Sequence, residues 1–291
     1  MRILACAGAA CLIVLGLGGH AAVGGRPAKG PPKPTLLPPR FVGDFETGNL
    51  SQWTWGVQCA NTGVPSTATN LSGTITIQSE TVGEGSYAAQ FDLPNSPEVR
   101  NSCETVAKRR IGLGLDDYYG LMVRLPSNWQ EPSGAGWGLS LAQFNFEGIV
   151  GAPVSLVAHA NDISLVTQAG FCRSRCEYSS GAGGNLPPMV IARAYPDVWH
   201  EFIVHVKWTT NAKGLIEVWH RLKLHKLWRK VLTRRGIPTL QWDEQGPDSL
   251  LGALTSDKIG AYRGWARFPL TVWLDGFVRS PSFATTAARL P

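Results

Sequence analysis

The sequence predicts an all-β fold, a jelly-roll β-sandwich forming a single domain. Three observations predict it. Apolar and polar residues alternate with a period of two in run after run, Gly or Pro punctuates the chain about every ten residues, and helical i, i+3, i+4 patterns with capping residues are scarce. Alternation places successive side chains on opposite faces, so each run buries one face and leaves the other wet.

Taken in order, the strand candidates are "GTITIQSE", "YAAQFDL", "YYGLMVRLP", "GLSLAQFNF", "PVSLVAHA", "DISLVTQ", "HEFIVHVKW", "LIEVWHRLKL" and "PLTVWLDGFV", each β-rich and bounded by turn residues. The basic stretch from His220 to Gly236 holds seven Lys or Arg and no Asp or Glu. Trp219, Leu222, Leu227 and Val231 would suit one helix face, but Ile216, Val218, His220, Leu222 and Leu224 keep a period of two after the turn-like "TTNAKG", which favours a strand pair. Its cations then line a solvent face, either as a polyanion contact or as a charged edge that prevents aggregation.

The N-terminus reads as an export signal over 1–25, because one Arg precedes a short apolar run with an Ala/Gly-rich exit. Residues 26–40, "RPAKGPPKPTLLPPR" in the main, form a Pro-rich tether, and 41–291 form the domain. A secreted, extracellular, monomeric protein is expected, with no membrane and no nucleic acid partner. Four cysteines survive signal removal, and an even count in an exported chain favours disulfides. Cys172 and Cys176 flank the short "CRSRC" loop and pair locally, which leaves Cys59 with Cys103. The net charge of +6 suits acidic polymers outside the cell.

Several chemistries are disfavoured. No strand carries two carboxylates at i, i+2 or i+4 for sugar hydrolysis, "WDEQGPD" reads as loop, and there is neither a G-x-S-x-G elbow nor a phosphate loop. What the alternation does offer is polar faces: Gln143 with Asn145; Arg100 with Ser102 and Glu104; Lys258, Gly260 and Tyr262 in "DKIGAYRG". Such a set can hold a carboxylate and move a proton, as β-elimination from a uronic acid polymer requires. Donors neutralise the carboxylate, a base takes the C5 proton, and an acid protonates the departing O4. A Tyr near a cation can serve as base, acid or both.

The order of "DFETGNLSQW", "YYGLMVRLPSNW", "AQF", "WHEFIVHVKW", "GLIEVW", "KIGAYR" and "VWLDGF" resembles the heparin lyase I and glucuronan lyase-like polysaccharide lyases over nearly the whole mature chain. The resemblance implies a concanavalin-like jelly roll with a groove for an anionic polysaccharide and a K-x-G-x-Y strand carrying the catalytic Tyr, here Lys258, Gly260 and Tyr262. It also implies a Q-x-H strand and an R-x-E strand. Asn145 stands where the His would be, and Arg100 and Glu104 are one alternation step too far apart. The expected catalytic set is therefore Tyr262, Gln143, Lys258, Arg100 and Asn145, with Gly260 leaving room for a sugar ring. Arg263, Glu104, Trp137, Trp265 and His159 are expected to contact substrate. The alternative function is a lectin-like protein that binds without cutting.

No cofactor is required by this chemistry. Asp44, Glu46 and Asp275 lie near the two ends of the domain, and terminal strands of jelly rolls are often neighbours, so these acids are candidates to share a structural Ca²⁺.

Overall fold

The computed structural model describes residues 36–53, 55–62, 71–95, 101–110, 114–129, 138–146, 152–171, 185–242, 246, 254–264, 266 and 268–290. The expected export signal and most of the expected tether lie outside the described residues. In chain order the first strands are β1 (Phe41–Gly43), β2 (Val57–Gln58), β3 (Thr74–Gln78), β4 (Ala88–Leu93), β5 (Asn101–Arg110) and β6 (Asp116–Arg124). Next come β7 (Leu139–Phe146), β8 (Val154–His159), β9 (Asp162–Gln168), β10 (Gly170–Phe171), β11 (Asn185–Arg193) and β12 (Trp199–Lys207). The last are β13 (Gly214–Leu222), β14 (Arg229–Ile237), β15 (Gln241–Trp242), β16 (Leu254–Arg263) and β17 (Leu270–Ser280), followed by the short helix α1 (Phe283–Ala287).

Two large antiparallel sheets form the sandwich. One runs β14-β13-β12-β6-β17-β4-β3, with β1 added on β17; the other runs β11-β9-β8-β7-β16-β5-β2. The first will be called the back sheet and the second the front sheet. Alternation explains which side chains meet between them. Ile259 and Ala261 of β16, Leu156 and Ala158 of β8, Ile163 and Leu165 of β9, and Phe202, Val204 and Val206 of β12 are all completely or nearly completely buried in one core. Full burial of each Ile, Leu, Val or Phe side chain among them contributes about 1.5–3 kcal/mol.

The outer faces of the two sheets differ. A second apolar cluster covers the back sheet, where Met122, Trp199 and Ile203 pack beneath Leu290, with Phe283 of α1 and Trp228 against them. Ser282 caps α1, its Oγ accepting from the Thr285 N–H. This cluster covers only part of the back sheet, since β14 is largely exposed; the outer face of the front sheet, polar and carrying two hollows, will be called the wet face.

The basic stretch is a strand pair. β13 and β14 are antiparallel with Val218 opposite Leu232, and β14 is the edge of the back sheet. Its outer charges are partly spent locally: Lys230 Nζ lies 2.7 Å and Arg235 Nη2 3.3 Å from Glu217 Oε1. Cys59 and Cys103 are bonded across 44 residues of sequence, tying the segment after β2 to the core face of β5. Closing a loop of that length stabilises the fold by about 4 kcal/mol. Cys172 and Cys176 lie outside the described residues.

Candidate active site

The front sheet positions the site through pairing register. Tyr262 of β16 lies opposite Ser102 of β5 on one side and Ser140 of β7 on the other. Lys258, four residues earlier on the same strand, lies opposite Gln143. The Gln143 amide Nε2 donates to Ser140 Oγ at 3.1 Å, so the amide and the hydroxyl beside Tyr262 form one polar unit. A hollow next to them is lined by Ser140, Gln143, Ala152, Ser155, Val157, Val166 and Gln168. Tyr262 and Gln143 are both half-buried, a phenol and an amide on a polar face where Ser102 and Ser140 beside them are buried.

Lys258 has two partners from β2 and β5. Its Nζ donates to Gln58 Oε1 at 3.1 Å and lies 3.7 Å from Glu104 Oε2. Four residues of extended chain put its Cα roughly 13 Å from that of Tyr262, so the ammonium belongs to the β5/β2 side of the sheet. Glu104 is buried, and burial pushes its carboxyl above the usual carboxylate range while Lys258 pulls it back. The assignment of Glu104 to substrate contact is corrected accordingly, since its carboxylate answers Lys258 inside the sheet.

Two further expectations change. Arg263 was expected to touch substrate, but it is fully buried on the core side of β16. Its Nη2 donates to Pro94 O at 2.8 Å and Phe268 O at 2.6 Å, and burial lowers its pKa to about 10. Period-two alternation carried this signal, because Arg263 shares the face of Ile259 and Ala261. Gly260 was expected to leave room for a sugar. A Cβ there would instead stand 2.2 Å from Cys103 O and 2.6 Å from Glu104 Cα, so the backbone of β5 fills the space. Its φ of +156° coincides with a bulge in the β16/β7 register between Ile259 and Tyr262.

Among the other candidates, Arg100, Trp137 and Trp265 lie outside the described residues. Asn145 occupies the register position opposite Ser256, two places along β7 from Gln143. His159 ends β8 and borders a second hollow on the same face, three strands from β5. Polar neighbours that the sequence reading did not assign are Ser140, Ser155 and Gln58. Trp55, half-exposed, carries Lys108 Nζ 4.3 Å from its ring centroid at the β2/β5 edge.

The three acids at the domain ends do come near one another, because β1 pairs with β17. Asp275 accepts from the Gly83, Glu84 and Gly276 N–H groups, Glu46 from Ser86 and Tyr87, and Asp44 from Glu46 N and Gln52. Glu84 joins them, and burial, followed by the charges of Asp275, Asp44, Glu46 and Glu201, pushes its pKa to about 8. Among the described residues no group of three or more His, Cys, Asp or Glu side chains is arranged to hold a metal ion.

A family model described as polysaccharide lyase matches residues 45–278. The chain belongs to that family. This polysaccharide lyase shares its fold with an endo-β-1,4-glucuronan lyase from the fungus Trichoderma reesei, at 19% identity and a TM-score of 0.64, over 86% of this chain and 98% of that one. A cellulose-induced protein, Cip1, is similar at 14% identity and a TM-score of 0.50, over 84% of this chain and 98% of that one. No curated protein sequence matches the lyase. The match spans every strand from β2 to β16 and so includes the whole front-sheet face described above.

Proposed function

We propose that this lyase acts outside the cell, as a monomer, on a uronic-acid-containing polysaccharide, which it cleaves by β-elimination with Tyr262 as the proton-transfer group. The observation that carries the reading is the placement of Tyr262 on the wet face between two serines, with the Gln143 amide bonded to one of them.

In the proposed step the uronate carboxylate is held by the Gln143 amide, with Asn145 and Arg100 as further donors. Neutralising that carboxylate lets charge from the C5–H bond spread onto it, which is where preorganised donors act most strongly. Tyr262, as phenolate, takes the C5 proton; the electron pair forms the C4=C5 double bond and the C4–O4 bond breaks. The O4 that departs takes a proton, returned by the same phenol. Lys258 contributes by holding Glu104 and so the local charge of the sheet. Glucuronan cleavage by the fungal enzyme of like fold supports a uronate as the acidic unit.

The experiment is a panel of purified polyuronates assayed for the ultraviolet absorbance of the unsaturated product. Absorbance that appears with wild type and disappears with Tyr262→Phe supports the reading. Product formation by Tyr262→Phe at the wild-type rate would sink it and turn attention to His159. The chemistry uses no cofactor; a structural Ca²⁺ near Asp44, Glu46 and Asp275 is a separate proposal, supported if Ca²⁺ raises the melting temperature of chelator-treated protein and removed if it does not.

A further inference from the structure

The wet face of the front sheet is chemically lopsided. On the β5/β16 half stand Lys108 and Lys258, the first against the indole of Trp55 and the second against Glu104. On the other half a hollow of about 380 Å³ is lined by Val157, His159, Ala160, Asp162, Ser164, Val166, Pro188 and Val190. That volume falls in the roughly 300–1,000 Å³ range of small-ligand sites. Among the described residues its lining holds no Lys or Arg. Among the described residues Arg193 lies opposite Asp162 of β9 at the rim, one charge of each sign.

This hollow is continuous with the one beside Gln143, for Val157 and Val166 line both. Together they make a trough crossing β7, β8, β9 and β11, beginning next to the strand of Tyr262 and ending at the sheet edge. Four strand spacings from β16 to β11 span roughly 19 Å, enough for several linked sugar rings. The floor is aliphatic with hydroxyls between: Val157, Val166 and Pro188, with Ser155 and Ser164, and Val190 is 59% exposed at the rim. Such a floor takes the C–H face and hydroxyls of a pyranose, whereas an ionised carboxylate there would lose water and meet Asp162.

We propose that the outer hollow is a binding site for an uncharged sugar unit of the polymer, so that ionised uronate is read only near β16. This rests on the elimination reading and deepens it. The preferred substrate is then a polymer that carries uronate beside uncharged units, either neutral hexose or ester-masked uronate, rather than a fully ionised polyuronate.

The test has two arms, both on the full domain. In the first, kcat/KM is compared for fully ionised polyglucuronate, the same polymer partly methyl-esterified, and a polymer alternating uronate with neutral hexose. At least one of the last two should be cleaved about tenfold better than the first, and which one wins names the uncharged unit. Ser164→Lys, which adds a cation to the hollow, should shift that preference about tenfold toward the ionised polymer. Fastest cleavage of the fully ionised polymer, unaffected by Ser164→Lys, would overturn the proposal. In the second arm the Tyr262→Phe protein is titrated with cellohexaose. Salt-insensitive binding that Val166→Trp weakens about tenfold is expected, and absence of binding overturns the proposal even if no polymer is turned over. Failure of every polymer to be cleaved with cellohexaose still bound would remove the elimination reading and leave the site.

Discussion

Lys258 Nζ stands 3.7 Å from Glu104 Oε2, and Glu104 is almost completely buried. The pair joins β16 to β5 diagonally across the front sheet, with Gln58 of β2 taking a further hydrogen bond from the ammonium. A buried carboxylate that loses its only described cationic partner is left uncompensated. Lys258→Met should therefore destabilise the fold by roughly 3 kcal/mol. The double variant Lys258→Met, Glu104→Gln should recover most of that loss. Denaturant melts of the two single variants and the double variant check this; additive losses would deny the coupling.

Tyr262→Phe removes one hydroxyl from a half-buried position on the wet face. The melting temperature should stay within a few degrees of wild type while turnover falls by about 10² to 10⁴-fold. Gln143→Ala should also slow turnover, because it takes away the proposed carboxylate donor and the partner of Ser140. Product absorbance with a parallel thermal melt separates loss of chemistry from loss of fold.

Gly260→Val should damage the fold rather than the substrate path. The new Cβ would meet the backbone of Cys103 and Glu104, atoms that cannot move without displacing β5. A loss of several kcal/mol, or failure to fold, is the expected outcome. The check is activity per folded molecule: a well-folded Gly260→Val protein that had lost only activity would restore the view that this glycine makes room for sugar.

A histidine pair should make the fold acid-sensitive. His200 is fully buried, and its Nε2–H donates to Tyr195 O at 3.0 Å, so its Nδ1 accepts from His220 Nε2 at 3.1 Å, with both rings neutral. Burial lowers both pKa values, that of His220 to about 4, where His200 and His225 add to the effect. The unfolded chain binds these protons more readily than the folded one between the ordinary His value near 6.5 and about 4. Stability is thus fully present above pH 6.5 and is lost as pH falls through that window, by on the order of 3 kcal/mol for His220. Unfolding midpoints from pH 7 to pH 4.5 test this, with a flatter profile expected for His220→Gln.

Alternation along a strand is a local property, and it carried much of the fold. The runs containing β7, β8, β9, β12 and β17 were readable because apolar residues recur every second place. The same rule put Lys258, Gly260 and Tyr262 on one face of β16. It also puts Arg263 on the other, the core face, where the side chain is fully buried. β11 is not among the strands read from the sequence, and β5 is read only at its start, through the shared face of Ser102 and Glu104. Residues 101–107 of β5 are all buried but few of them are strongly apolar, while β11 contains two prolines. Proline usually argues against a strand, and an edge position is where a sheet tolerates it.

Order along the chain thus settled the class of fold, the wet face and the strand that bears Tyr262, because those depend on neighbours one or two residues apart. Partners across the sheet depended on contacts between residues far apart in sequence. Glu104 and Gln58 reach Lys258 from 154 and 200 residues away, the β5 backbone closes over Gly260, and Ser140 comes beside Tyr262 through a bulged register. Each of these follows from which strands pair and in what register. Side-chain period alone leaves both open, since any two strands with the same alternation can pair and a shift of two residues preserves every face.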